Sequence, residues 1–317
     1  MGAEAAAHVP VMQDRIVELL APPLRQGGTW VDCTLGLAGH AEAVLTACPE
    51  AQLVGIDRDP EALALAARRL APFGDRVRLV EAVYDELPQV LANLGIASVA
   101  AILADLGLSS LQIDRTDRGF AYAVDSPLDM RMGAGAERTA AEVINTYAVD
   151  KLTRILRDYG EERFAARIAR RIVDLRAEAP FETSARLVQA LTDAIPAAAR
   201  AHRGHPAKRT FQALRIEVNG ELRALEGLLP AALAALAPGG RFAVLAYHSL
   251  EDRRVKQTFR DAATDQVPRG LPVVPEEHRA RFRLLTRGAE RPSETESARN
   301  PRAASARLRA IERRRAA

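Results

Sequence analysis

Aromatic residues are scarce in this chain, 4% of 317 residues, with one Trp, five Tyr and eight Phe. That excludes a platform of exposed rings of the kind that stacks RNA bases. Cysteine is scarcer. Cys33 and Cys48 provide neither a zinc spacing nor a disulfide framework, so no metal site is expected. No apolar run approaches the roughly 20 residues needed to span a bilayer. The N-terminus lacks the hydrophobic region of a secretory signal, so a cytoplasmic protein with no membrane partner is expected. Net charge is only +3, but it is unevenly spread. Arg299, Arg302, Arg307, Arg309, Arg313, Arg314 and Arg315 face Glu312 alone. This reads either as a basic C-terminal tail that meets phosphates or as a solvated terminal helix.

What the chain does contain is concentrated between Thr29 and Asp57. Trp30-Val31 is a short apolar run closed by Asp32, followed by a small-residue turn with Gly36, Ala38, Gly39 and His40. An amphipathic segment, Ala41 to Ala47, leads to a second apolar run ending in Asp57. Strand, glycine turn, helix, strand and terminal acid form the nucleotide half of a Rossmann-like unit. Asp57 is placed to accept hydrogen bonds from ribose hydroxyls. The turn lacks the third glycine of G-x-G-x-x-G, and Asp32 would repel a pyrophosphate. Both features favour S-adenosylmethionine, whose methionine part is cationic, over a nicotinamide dinucleotide.

The rest of the chain extends this α/β pattern. A helix is expected over Gln13 to Leu20, stopped by Pro22 and Pro23, and another from Asp59-Pro60 to Leu70. Val77 to Val80 is a third strand, after which Tyr84 can offer a ring face to an adenine. Val99 to Ala104 reads as a buried parallel strand. It ends in Asp105-Leu-Gly-Leu-Ser109-Ser110, the catalytic loop by its position at a strand's carboxyl end. A long aperiodic stretch, Gln112 to Met132, carries Arg118, Phe120, Asp129 and Arg131 and is expected to act as a functional lid. From the capping-box match Thr139-Ala-Ala-Glu142 the pattern turns helical, with helices near Val149 to Arg157, Glu161 to Arg176 and Ser184 to Asp193. A helix to Leu236 and the turn Pro238-Gly-Gly240 then lead into the strand Phe242 to Ala246, and Phe282 to Leu285 is a late strand. The expected division is 1–132 and 207–317 for the sheet domain, ending in a basic tail, with an inserted all-helical substrate-recognition subdomain at 133–206.

Four segments occur in one order: Leu35-Gly-Leu-Ala-Gly-His40, Asp105-Leu-Gly-Leu-Ser-Ser110, Ser126-Pro-Leu-Asp-Met-Arg-Met132 and Tyr247-His-Ser-Leu-Glu-Asp-Arg253. Together they closely resemble the RsmH (MraW) family of small-subunit ribosomal RNA cytosine-N4 methyltransferases, from His8-Val9-Pro10-Val11 to Asn300-Pro301-Arg302. The resemblance implies a class I S-adenosylmethionine-dependent methyltransferase fold with a helical insertion. It also implies N4-methylation of a cytidine in 16S ribosomal RNA; the long loop and basic tail, suited to reading shape as much as sequence, favour the assembled 30S subunit as the substrate. By the family pattern the donor would be held by Ala38, Gly39, His40, Asp57, Tyr84, Asp105 and Gln112. Leu111 stands where the family usually has proline.

For this chemistry Asp105, Ser109 and Ser110 are candidates to hold the exocyclic amine, and His248 to accept its proton. The loop from Arg118 to Met132 would shield an unstacked base. Lys208, Arg209, Arg215, Arg253 and Arg254 are candidate phosphate contacts. A DNA amino-methyltransferase would instead carry a Pro-Pro-aromatic loop after the fourth strand. A non-catalytic ribosome-assembly factor on the same fold is the alternative from outside enzymology. The sequence leaves monomer or homodimer open.

Overall fold

The computed structural model describes residues 10–133, 136–200, 205–265 and 278–315. His8 and Val9, named above, lie outside them. The described residues fall into two compact units, Met1–Gly107 with Ala224–Ala317, and Leu108–Arg223.

The first unit is built on a seven-stranded sheet: β1 Gly28–Asp32, β2 Ala51–Asp57, β3 Val77–Glu81, β4 Val99–Asp105, β5 Leu236–Ala246, β6 Phe282–Leu284 and β7 Arg307–Arg313. Their spatial order is β3-β2-β1-β4-β5-β7-β6, parallel from β3 to β5 and antiparallel on either side of β7. The parallel part changes direction of progression between β1 and β4. That is the switch point where the carboxyl ends of strands leave a ligand crevice. The antiparallel β7 set between β5 and β6 makes this the class I methyltransferase version of the Rossmann-like sheet.

Alternate residues of each strand bury in opposite directions. Trp30, Leu53, Leu103 and Leu245 pack with α1 Gln13–Leu24, α2 Gly39–Ala47 and α3 Pro60–Leu70. Val31, Val54, Ile102 and Val244 pack with α4 Leu87–Asn93. Leu225, Leu228 and Leu229, of the helix Glu221–Ala235, and Val255 and Phe259, of the helix Ser249–Ala262, complete that face. Both faces are covered, which explains the unbroken apolar runs of β2, β4 and β5. Burying a side chain such as Trp30 or Phe242, each 0% exposed, contributes roughly 2–3 kcal/mol.

Three expectations need correction. Pro22 and Pro23 do not stop α1 but sit in its last turn. Pro23 has no N–H for the Leu19 carbonyl, and Arg241 Nη1 donates to that oxygen instead, at 2.8 Å. Pro238 to Gly240 lie within β5, at a register shift against β4, rather than before it. The basic C-terminal stretch is neither tail nor helix from 307 to 313. It is β7, with Leu308, Ala310 and Ile311 buried. Arg307 and Arg309 are both tied to Asp252, at 3.1 and 2.7 Å, so neither is a free cation.

The second unit is helical: α5 Ser110–Asp114, α6 Ala140–Thr146, α7 Val149–Asp158, α8 Ala165–Glu178, α9 Ser184–Ala194, α10 Ala197–Arg200 and α11 Ala207–Asn219. Gly220, at φ 61, ends α11 where one continuous helix was expected; α12 Glu221–Ala235 follows, then α13 Ser249–Ala262 in the sheet unit. Thr139 and Glu142 form the expected capping box of α6. This unit extends on both sides of 133–206, because Phe120, Leu128, Met130 and Met132 and α11's Phe211 and Leu214 share one core with the helices. The stretch from 112 to 132 is therefore fixed rather than a free lid. Asn219 holds it from both directions, donating to the Met130 carbonyl at 2.8 Å and accepting from the Met132 amide at 2.9 Å.

Candidate functional site

Three acids finish three neighbouring strands of the sheet: Asp32 on β1, Asp57 on β2 and Asp105 on β4. The turn after β1 ties them together. Thr34 donates its amide to Asp32 Oδ1 at 3.1 Å and accepts the Asp105 amide on its hydroxyl at 2.6 Å. Gly36 donates its amide to Asp57 Oδ2 at 2.7 Å, and the Asp59 amide donates to Oδ1 at 2.9 Å. Each carboxylate oxygen of Asp57 keeps acceptor capacity beyond these bonds.

The turn itself is strained and close-packed. Ala38 is left-handed at φ 61, a conformation that costs an L-residue about 1–2 kcal/mol. Gly39 is required for space rather than for φ, because a Cβ there would fall 2.4 Å from the Pro10 ring. His40, in the first turn of α2, is 7% exposed, and its Nε2 lies 3.5 Å from Asp105 Oδ2. Neither ring nitrogen has a hydrogen-bond partner among the described residues, nor does Asp105 Oδ1.

Such crowding has an electrostatic cost. Burial, with smaller repulsion from Asp105 and Asp57, pushes the Asp32 carboxyl up to about 7 against the pull of His40 and the Thr34 amide. Burial raises Asp57 too, opposed by the Asp59 and Gly36 amides. The pocket therefore holds more negative charge than it can easily stabilise by itself.

β5 completes the site. Tyr247 follows its last residue, and the phenol hydroxyl is hydrogen-bonded to the Asp105 carboxylate. Burial first, and then Asp105, holds the phenol well above its ordinary range, so it stays a proton donor. Glu251 accepts the Tyr247 amide at 2.8 Å and the His248 amide at 3.2 Å. Its Oε1 lies 3.0 Å from His248 Nε2, yet both ring nitrogens of His248 are buried without a hydrogen-bond partner among the described residues. Thr34, Tyr247 and Glu251 went unassigned from sequence. Only Tyr247 and Glu251 fell within a recognised segment, and nothing in spacing alone distinguishes a strand-clipping threonine from any other.

The other candidates divide by what their side chains already do. Ser109 and Gln112 cap α5 reciprocally, at 3.2 and 3.0 Å. The Ser110 side chain lies outside the described residues. Tyr84 is half-buried against the sheet core. Phe120 is a core residue, 8% exposed, rather than an accessible ring. Arg118 is half-buried, and its carbonyl accepts the Met130 amide at 2.9 Å. Asp129 and Arg131 pair with each other at 2.7 Å. Arg215 is a fork on buried Glu221, at 2.9 and 2.8 Å, so its guanidinium is not an exposed phosphate contact. Arg209 donates to the Glu161 carbonyl. Arg254 pairs with Glu226 at 2.7 Å, and Arg253 is also engaged. Lys208 remains exposed. Among the described residues no acid, His or Cys cluster could hold a metal ion, and no helix is long and apolar enough to cross a membrane.

Comparison with known proteins gives a consistent result. The model of the MraW methylase family matches residues 5–314. The chain is 61% identical to the ribosomal RNA small subunit methyltransferase H of Saccharopolyspora erythraea, over 98% of this chain and 95% of that one. It is 62% identical to the Nocardioides protein of the same name, covering 97% of each. The Streptomyces avermitilis protein of that name is 60% identical over 96% of each chain.

Proposed function

This chain belongs to the MraW methylase family, and from that premise we propose that it methylates N4 of a cytidine in small-subunit ribosomal RNA, with S-adenosylmethionine as donor. The observation that carries the proposal is the trio of strand-end acids with unpartnered, buried polar atoms beside them. The residues present fit that donor. Asp57, free to accept further hydrogen bonds, suits a ribose diol, and the raised Asp32 carboxyl would regain its ionised form beside a cation. The backbone of Gly36, Ala38 and Gly39 forms the turn around it, with Tyr84 and Gln112 as further candidates from the family pattern. When bound, S-adenosylmethionine supplies an electrophilic methyl group on a cationic sulfur.

The protein's part is to prepare the amine. The N4 lone pair of cytosine is delocalised into the ring, so the amine must be turned out of conjugation and aligned with the methyl. Asp105 Oδ1, buried and unpartnered, is the acceptor for an N4 hydrogen, and Tyr247 steadies the carboxylate from the other side. Methylation leaves the amine with one proton too many. His248, both of whose ring nitrogens are buried without a hydrogen-bond partner among the described residues, takes that proton. Ser109 belongs to the capping of α5 and supports the loop rather than the chemistry.

The helical unit reads the substrate by shape and charge, since its aromatic side chains are largely committed to packing. That favours the assembled small subunit over free RNA as substrate. The test is transfer of labelled methyl from S-adenosylmethionine to small subunits lacking the modification, followed by nucleoside digestion. Label in N4-methylcytidine, lost with Asp105→Ala, is the expected result. Donor binding without transfer to subunits or to free RNA would overturn the proposal and leave a non-catalytic assembly factor.

A further inference from the structure

Beyond the strand-end acids, a second cavity of about 300 Å³ opens on the sheet unit. Tyr247, His248, Ser249, Arg291, Ser305 and Arg307 line it, with two alanines between them and no carboxylate. It begins where the donor site ends. Tyr247 belongs to both, its hydroxyl on Asp105 and its residue in the cavity wall.

The charge of the wall is set by which acids are already committed. Asp252 is shared between Arg307 and Arg309, so the three together keep a net positive charge. Glu251 is engaged with the Tyr247 and His248 amides, and Glu296 accepts the Met12 amide at 2.6 Å. Glu290 is held by Arg15 at 2.8 Å. Arg291, next in the chain, makes no hydrogen bond or ion pair among the described residues and is exposed at the rim. Arg307 keeps 38% of its side chain exposed and has guanidinium donors beyond the one given to Asp252.

Two further features point inward. The first turn of α13, a helix of 14 residues, opens at Ser249 and presents its positive end to the cavity. His248 lines the cavity and is nine-tenths buried, and neither of its ring nitrogens has a hydrogen-bond partner among the described residues. Two arginines, two hydroxyls and a helix N-terminus around a small polar cavity are the donors that a phosphate requires.

We propose that this cavity holds a backbone phosphate of the RNA strand whose cytidine is methylated. The proposal rests on the RNA reading above and adds to it the element that fixes the strand's register beside Asp105. A phosphate contact carries no sequence information, but it positions the nucleotide that the site then acts on.

Arg291 is the residue to test, since it is exposed and its loss removes no partner from the fold. Subunit methylation and donor affinity are measured for wild type, Arg291→Ala, Arg291→Glu and Arg291→Lys across a range of salt concentrations. The expected result is a KM for subunits raised roughly tenfold in Arg291→Ala and further in Arg291→Glu, with the loss on KM rather than kcat. The salt dependence should flatten by about one unit of log-log slope. Arg291→Lys should recover most of the loss, and donor affinity should stay at the wild-type value in all four. Unchanged KM and salt slope in Arg291→Ala and Arg291→Glu would overturn the proposal. So would calorimetric saturation by inorganic phosphate accompanied by a wild-type subunit KM in the variants, which marks a free-anion site. Absence of transfer by the wild type would defeat the RNA reading and this one with it, an outcome distinct from equal transfer by all variants.

Discussion

The two compact units treat their buried polar groups differently. In the helical unit such groups mostly serve each other. Ser109 caps Gln112, Ser184 accepts the Ser126 amide, Asn219 takes both ends of the Met130 to Met132 segment, and Arg215 closes on Glu221. Thr210 Oγ1 is the one orphaned buried side-chain atom there among the described residues. In the sheet unit most of the orphaned atoms gather near the strand ends, on His40, Asp105 and His248, with Trp30 Nε1 inside β1 as an exception. Native proteins rarely leave such atoms unpaired without a ligand or catalytic use for them. One unit is therefore finished by folding, whereas the other is finished by what it binds.

The comparison can be broken most forcefully from the helical side. Phe181 is 0% exposed in that unit's core, and Phe181→Ala should cost about 3–5 kcal/mol of stability, read from urea unfolding. Asp105→Asn should do the opposite. Methyl transfer should fall about 10²–10³-fold while the melting temperature stays within a few degrees of wild type.

Asp32 should show both effects at once. Its carboxyl has an ordinary value of 3.8 and sits at about 7 in the fold. Without donor, this group's contribution to stability is therefore fully present below about pH 4 and is lost as pH rises through about 7. Asp32→Asn should remove that slope and stabilise the donor-free protein at pH 8 by roughly 1–3 kcal/mol, while weakening donor binding. Thermal melts between pH 4 and pH 8 would show whether the slope belongs to this residue. The smallest effect expected is that of Ser109→Ala, a lost cap worth about 1 kcal/mol. Calorimetry on the same variant and on Gln112→Ala sharpens the contrast. A change in donor affinity with Gln112→Ala alone would assign that glutamine a binding role beyond its cap.

Much of the sheet unit was legible because its signals are local. Trp30-Val31-Asp32, the turn to His40 and Leu53 to Asp57 each announce a strand or turn within a few residues, and Asp59-Pro60 opens α3 as expected. The capping box at Thr139 was legible for the same reason. What escaped depends on partners distant in sequence. β7 was hidden by its arginines, although Arg307-Leu-Arg-Ala-Ile alternates as an edge-side strand should, because their neutralisation by Asp252 is 55 and 57 residues away. Thr34 acquires its role only when β4 lies beside β1, 71 residues on. The stretch from Arg118 to Met132 has no periodicity, and its fixed position depends on Asn219 in α11.

The central claim is that the strand-end carboxylates are held in readiness for a cationic donor. Its most direct test is the affinity for S-adenosylmethionine, measured by calorimetry from pH 5.5 to pH 7.5 in wild type and Asp32→Asn. The account predicts that wild-type affinity climbs with pH as Asp32 ionises and levels off above about 7, while the variant binds more weakly with no such climb. A wild-type affinity independent of pH, or an Asp32→Asn protein that binds as tightly as wild type, would contradict it.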